Sequence, residues 1–94
     1  MDALERAIVI NEQIVSLAPK DGPDYLLPLR NLGLSLKKRY DQTGSIDDIA
    51  RAITLNEQAL ELISIINPSR SVYLNNLGAL LLSWFEHSGS EERS

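Results

Sequence analysis

Apolar residues recur three or four positions apart along most of this chain, which puts them on one face of a helix with 3.6 residues per turn. Over residues 3 to 18 that face is Leu4, Ala7, Ile8, Ile14, Val15 and Ala18, with Asn11 among them. Pro19, Gly22 and Pro23 then interrupt the hydrogen-bond ladder. Asp24 is placed to cap a second helix reaching Thr43, whose inner face is Tyr25, Leu29, Leu32, Gly33, Leu36 and Tyr40. Pro28 sits early enough in it that the missing N–H costs little. Gly44 is a C-terminal stop, and Ser45 with Asp48 three residues on has capping-box spacing. A third helix is predicted over Ile46 to Ile66, with Ile49, Ala52, Ile53, Asn56, Ala59, Leu60 and Ile63 inward. Asn67–Pro68 breaks it. Ser69 caps a fourth, from Arg70 to His87, which Gly89 ends.

This pattern occurs twice. Sliding the sequence by forty-five residues pairs Leu29–Leu36 with Leu74–Leu81 without a gap. The same shift pairs Arg6–Ala7–Ile8 with Arg51–Ala52–Ile53, and Asn11–Glu12–Gln13 with Asn56–Glu57–Gln58. Leu17 falls on Leu62, Pro23 on Pro68, and Gly44–Ser45 on Gly89–Ser90. A fixed period of this size marks stacked helical or strand units. An up-and-down four-helix bundle is the simpler alternative, but it predicts four similar helices and no recurrence at every second one. Gly33 costs roughly 1 kcal/mol against alanine inside a helix. Its return as Gly78 predicts a neighbouring backbone too close for a β-carbon.

Leu29, Leu32, Gly33 and Leu36, and again Leu74, Leu77, Gly78 and Leu81, resemble helix A of the tetratricopeptide repeat. Ala7, Ala52 and Ala59 fit its helix B, although Ile14 replaces one alanine. The usual unit has 34 residues. The longer one here, with Asn-Leu-Gly and Asn-Glu-Gln, is similar to the repeats of kinesin light chains and of arrays joined to NTPase or caspase-like domains. The resemblance implies an all-α, right-handed superhelix of antiparallel helices in B-A-B-A order, forming one domain over residues 1–94. Residues 1–23 would be helix B of a partial repeat, 24–68 a complete repeat, and 69–94 helix A of a following one.

The family's members are generally binding scaffolds whose A helices line a groove for an extended peptide or partner helix. The resemblance therefore points to Arg30, Asn31, Lys37, Lys38, Asn75 and Asn76 as groove residues. An amide supplies both donors and an acceptor for peptide backbone. Asn11 and Asn56, on the inner side of helix B, are expected to hydrogen-bond a loop or a neighbouring helix, since a buried amide without partners costs about 1–3 kcal/mol.

The formal net charge of −4 and a single basic run, Lys37–Lys38–Arg39, argue against nucleic acid as partner. There is no cysteine, which removes thiolate chemistry and cysteine metal sites. The N-terminus lacks a signal-peptide pattern, and no apolar run approaches the ~20 residues of a membrane span. A cytoplasmic chain without membrane contact is expected. Neither a glycine-rich phosphate loop nor metal-ligand spacing occurs, so no cofactor and no metal are implied. The one histidine, His87, ends a helix, and Asp47–Asp48 sit in a first turn where acids favour the dipole. The chain is read as a non-enzymatic binding module, with a small helical-bundle enzyme or ligand-binding protein as the rival of another class.

The copies disagree in one informative place. Ser35, Lys37 and Arg39 become Leu80, Leu82 and Trp84, leaving the fourth helix apolar nearly all round. Repeat arrays normally end on a polar capping face. Leu80, Leu82 and Trp84 are therefore expected to meet a further repeat or another copy of the chain. Self-association would run head-to-tail, first helix on last, or as a two-fold dimer of last helices.

Overall fold

Asp2 opens the first helix, its carboxylate accepting the Glu5 amide at 2.8 Å. The computed structural model describes residues 2–19, 25–64 and 66–93, with side chains as far as His87. The described residues form four helices and no strand: α1 (Ala3–Leu17), α2 (Leu26–Thr43), α3 (Ile46–Leu62) and α4 (Arg70–Arg93). The all-α class follows directly.

Each helix packs on its successor in sequence, α2 on α3 most extensively, and α1 and α4 are not a packed pair. A closed bundle would join its first helix to its last. Here the helices instead form a slab of 44 × 35 × 15 Å. Its thin dimension matches two helix layers at ~8–10 Å spacing, measured between Cα positions. The core lies where α2 meets α3: Leu29, Leu32, Leu36 and Ile49 are its most completely enclosed side chains. Ile8 joins it from α1, and Tyr73 and Leu80 from α4. Each such side chain contributes roughly 1.5–3 kcal/mol by leaving water.

The ends of the helices depart from expectation in ways the contacts explain. α3 stops at Leu62 rather than Ile66, and Ile63 is extended at φ −94°, ψ 127°. The Arg70 guanidinium donates to the carbonyls of Leu60 and Ile63 at 3.0 and 3.1 Å, giving those helix-end acceptors a partner outside the helix. Leu17 and Leu62, related by the repeat, are thus the last residues of α1 and α3. α4 runs through Gly89 to Arg93. Gly44 stops α2 because it turns left-handed at φ 72° and its N–H closes on the Tyr40 carbonyl at 2.7 Å. Among the described residues Gly89 makes no such turn. Glycine alone, at a cost of roughly 1 kcal/mol against alanine, does not end a helix.

Local expectations are corrected at Ser45, at the two helix-interior glycines and at Ile14. The Ser45 side chain makes no capping bond. Asp48 instead turns to Arg39, a stronger charged partner than a backbone amide. Asp24, the expected cap of α2, lies outside the described residues, and Tyr25 occupies the cap position without a side-chain bond. A β-carbon on Gly33 or Gly78 would meet nothing within 4 Å, so no close backbone approach accounts for either glycine. Ile14, expected inward, is exposed, while Leu55 joins the core without having been picked out.

Asn11 of α1 and Asn56 of α3 each hydrogen-bond a neighbouring helix, as expected. Asn11 Nδ2 donates to the Ser35 hydroxyl of α2 at 3.1 Å. Asn56 Nδ2 donates to the Tyr73 carbonyl of α4 at 2.7 Å. Equivalent residues in the two units therefore anchor the helix that follows.

Candidate functional site

α2 and α4 both lean on α3 while barely touching one another, and a groove of about 120 Å³ lies between them. Its floor is Ala52, Leu55, Asn56 and Ala59 of α3. Small side chains at 52 and 59 let the flanking helices sit close while leaving the floor low. α2 supplies one wall through Arg30, Gly33, Leu34 and Lys37, and α4 the other through Tyr73, Asn76, Ala79 and Leu80. Gly33, with open space where a β-carbon would stand, widens the groove rather than admitting a neighbouring backbone.

The lining is mostly apolar, with Asn56 in the floor and the remaining polar groups at its edges. That combination suits a ligand burying one apolar side chain while its backbone and charges stay near the rim. For scale, a cavity of ~150 Å³ admits a benzene ring. Lys37 Nζ lies 2.6 Å from Asp41 Oδ1 and 5.8 Å from the Tyr40 ring centroid, so its charge is partly engaged. Arg30 makes no hydrogen bond or ion pair with the described residues and is exposed at the edge.

Of the expected groove residues, Arg30, Lys37 and Asn76 line it, while Asn31, Lys38 and Asn75 do not. The helical geometry explains the split. Each of α2 and α4 has two flanks about a third of a turn or more apart, one carrying residues 30, 33 and 37, the other 31 and 35. The groove takes the first flank of α2 and the opposite flank of α4, where Asn76 stands. Asn31 is the repeat equivalent of Asn76 and faces away; its carbonyl accepts the Ser35 hydroxyl at 2.9 Å. Leu34 and Ala79, one position after the glycine in each unit, were missed. At Leu34 the signal was an apolar residue standing between Arg30 and Lys37; Ala79 offered none.

Of the three residues expected to meet a further repeat or copy, Leu80 is corrected. It points inward and is buried in the core beside α3, whereas Leu82 and Trp84 are exposed. His87 ends the described side chains, its ring centroid 6.1 Å from that of Tyr40 and tilted by 60°. It lines neither hollow.

A second, more open hollow of about 440 Å³ lies among α1, α2 and α3. Four of its five charged residues, all but the exposed Asp47, are paired with one another. Arg39 grips Asp48 through two bonds of 2.8 Å, and Arg51 Nη1 meets Glu12 Oε1 at 2.5 Å. The hydrogen bond to Asp48, with its charge, holds the Arg39 guanidinium above its ordinary pKa against the opposing effect of burial. Glu12 Oε1 has no aligned hydrogen-bond donor, so the Arg51 contact is one of charge and proximity. Among the described residues no group of three or more acids or histidines is placed to hold a metal ion. No described helix is long and apolar enough to cross a membrane. No protein-family model matches the chain, and neither a curated protein nor a solved structure matches it.

Proposed function

We propose that this chain is a tetratricopeptide-like binding module, a segment of helical superhelix that holds an extended peptide or partner helix between α2 and α4. The reading rests on the groove itself: an open, mostly apolar channel between two repeat-equivalent helices, edged by Arg30, Lys37 and Asn76. The forty-five-residue recurrence and the strictly sequential packing support the superhelical arrangement. The ligand is an acidic segment carrying one large apolar side chain. That side chain fills the floor over Ala52 and Ala59, while carboxylates meet Arg30 and Lys37 and the Asn76 amide pairs with backbone. No chemistry is asked of the module.

The test is selection of random displayed peptides on the chain, with Ala79→Trp as the blocked counterpart. Enriched sequences should place acids beside a single aromatic or branched aliphatic residue. Ala79→Trp should weaken them about tenfold or more, equivalent to ~1.4 kcal/mol. Peptides that bind Ala79→Trp as tightly as the parent, or no enrichment, would remove the groove as the site.

A further inference from the structure

Repeat-equivalent positions on the outer helices differ sharply in exposure. Leu29 is 1% exposed under α3, but its equivalent Leu74 on α4 is 49% exposed. Leu36 and Leu81 differ in the same way, at 2% and 43%. On the B helices, Leu55 of α3 is 4% exposed beneath α2, whereas its equivalent Ile10 on α1 is 52% exposed. α4 thus carries the face that α2 uses to hold α3, and α1 carries the face that α3 offers to α2. The two open faces are the two halves of one contact already present inside the molecule.

We infer that these faces join between copies of this chain, α1 of one docking on α4 of another in the geometry of α3 on α2. The contact is head-to-tail and leaves one face of each kind open at its ends, so it propagates. Two pairs of residues mark the second copy as the occupant. Inside the chain Glu12 meets Arg51. The same step taken once more places Glu57 against Arg6 of the next copy, so both charges are kept. Inside the chain Arg39 neutralises the buried Asp48. At the junction these positions are Trp84 and Ala3 of the next copy, so both members of the pair change together and no buried carboxylate is left unmatched. Leu81 is then covered and Trp84 and Phe85 partly so, as Leu36, Arg39 and Tyr40 are inside the chain, while Leu82 edges the next groove as Lys37 edges this one. This assembly does not depend on peptide binding in the groove.

Sedimentation of two complementary variants tests it. Ile10→Glu with Ile14→Glu spoils the α1 face, and Leu81→Glu with Phe85→Glu spoils the α4 face; all four positions are exposed, and circular dichroism checks that each variant stays helical. The parent chain should form concentration-dependent multiples of the protomer mass. Each variant alone should remain a single protomer, and their mixture should give a one-to-one pair and nothing larger. At low salt, Glu57→Arg should weaken the pair when placed in the α1-spoiled variant. Arg6→Glu in the α4-spoiled variant should restore it. A parent chain that stays monomeric at high concentration overturns the proposal. So does an α1-spoiled variant that still dimerises by itself, which is the signature of a two-fold contact between last helices.

Discussion

Arg39 and Asp48 form a two-bond ion pair across the joint between α2 and α3: Nε and Nη2 of the arginine each lie 2.8 Å from one carboxylate oxygen. Asp48 is buried in the first turn of α3 and Arg39 is in the last turns of α2. The pair therefore fixes how the second helix folds back on the first. Arg39→Ala would leave a buried carboxylate without its two-bond partner. Breaking such a pair costs about 3–5 kcal/mol when fully buried, and the arginine here is a third exposed, which lowers the expected loss to about 2–3 kcal/mol. Removing both members, as Arg39→Met with Asp48→Ala, should recover most of that loss. Urea denaturation of the two single variants and the double variant checks this, and additive losses would count against a coupled pair.

Asn11 and Asn56 occupy the same place in successive units and reach different acceptors. Asn56 serves a backbone carbonyl near the start of α4, and Asn11 the Ser35 hydroxyl on a partly exposed edge. A hydroxyl that loses its donor turns to water; a carbonyl under a packed helix has less access to it. Asn56→Ala should therefore cost about 1–2 kcal/mol and Asn11→Ala about 0.5 kcal/mol. Thermal unfolding midpoints should fall in that order, and equal losses would mean that the acceptor makes no difference.

The sequence exposed the helices and their equivalence more readily than their orientation. A 3.6-residue stripe is a local property, so α1 and α2 could be placed within a residue or two, and the asparagines could be assigned a bridging role. Which flank of α2 or α4 faces the groove depends on which helices stand beside it. For that reason Asn76 lines the groove and its equivalent Asn31 does not. Leu80 was misread for a related cause: an apolar residue replacing Ser35 looks like surface gained, yet it packs inward beside α3. Capping was the other blind spot. Asp48 has capping-box spacing from Ser45, and nothing in that spacing reveals that Arg39, nine residues earlier, takes the carboxylate.

Gly33 is a helix-interior glycine with room for a side chain. Alanine there should stabilise the chain by about 0.5–1 kcal/mol, because it lowers the entropy of the unfolded backbone and meets no neighbour. The same methyl group projects beside the groove. Gly33→Ala should raise the unfolding midpoint while weakening any peptide that Ala79→Trp also blocks. Stability and binding would then move in opposite directions. A destabilised Gly33→Ala would show that the space seen around this glycine is filled in solution.

Gly44 and Gly89 are equivalent in sequence and opposite in conformation. Gly44 sits at φ 72°, where a β-carbon crowds the backbone, and its N–H closes α2 on the Tyr40 carbonyl. Gly89 lies within α4 with ordinary helical backbone. Gly44→Ala should therefore cost about 1–2 kcal/mol through left-handed strain at the joint of α2 and α3. Gly89→Ala should instead raise helix content and add up to about 1 kcal/mol, by ordinary helix propensity. Chemical denaturation followed by circular dichroism distinguishes the two, since the first lowers the midpoint and the second strengthens the helical signal. Should Gly89→Ala prove as costly as Gly44→Ala, α4 would have to end at Gly89 in solution, turning there as α2 turns at Gly44.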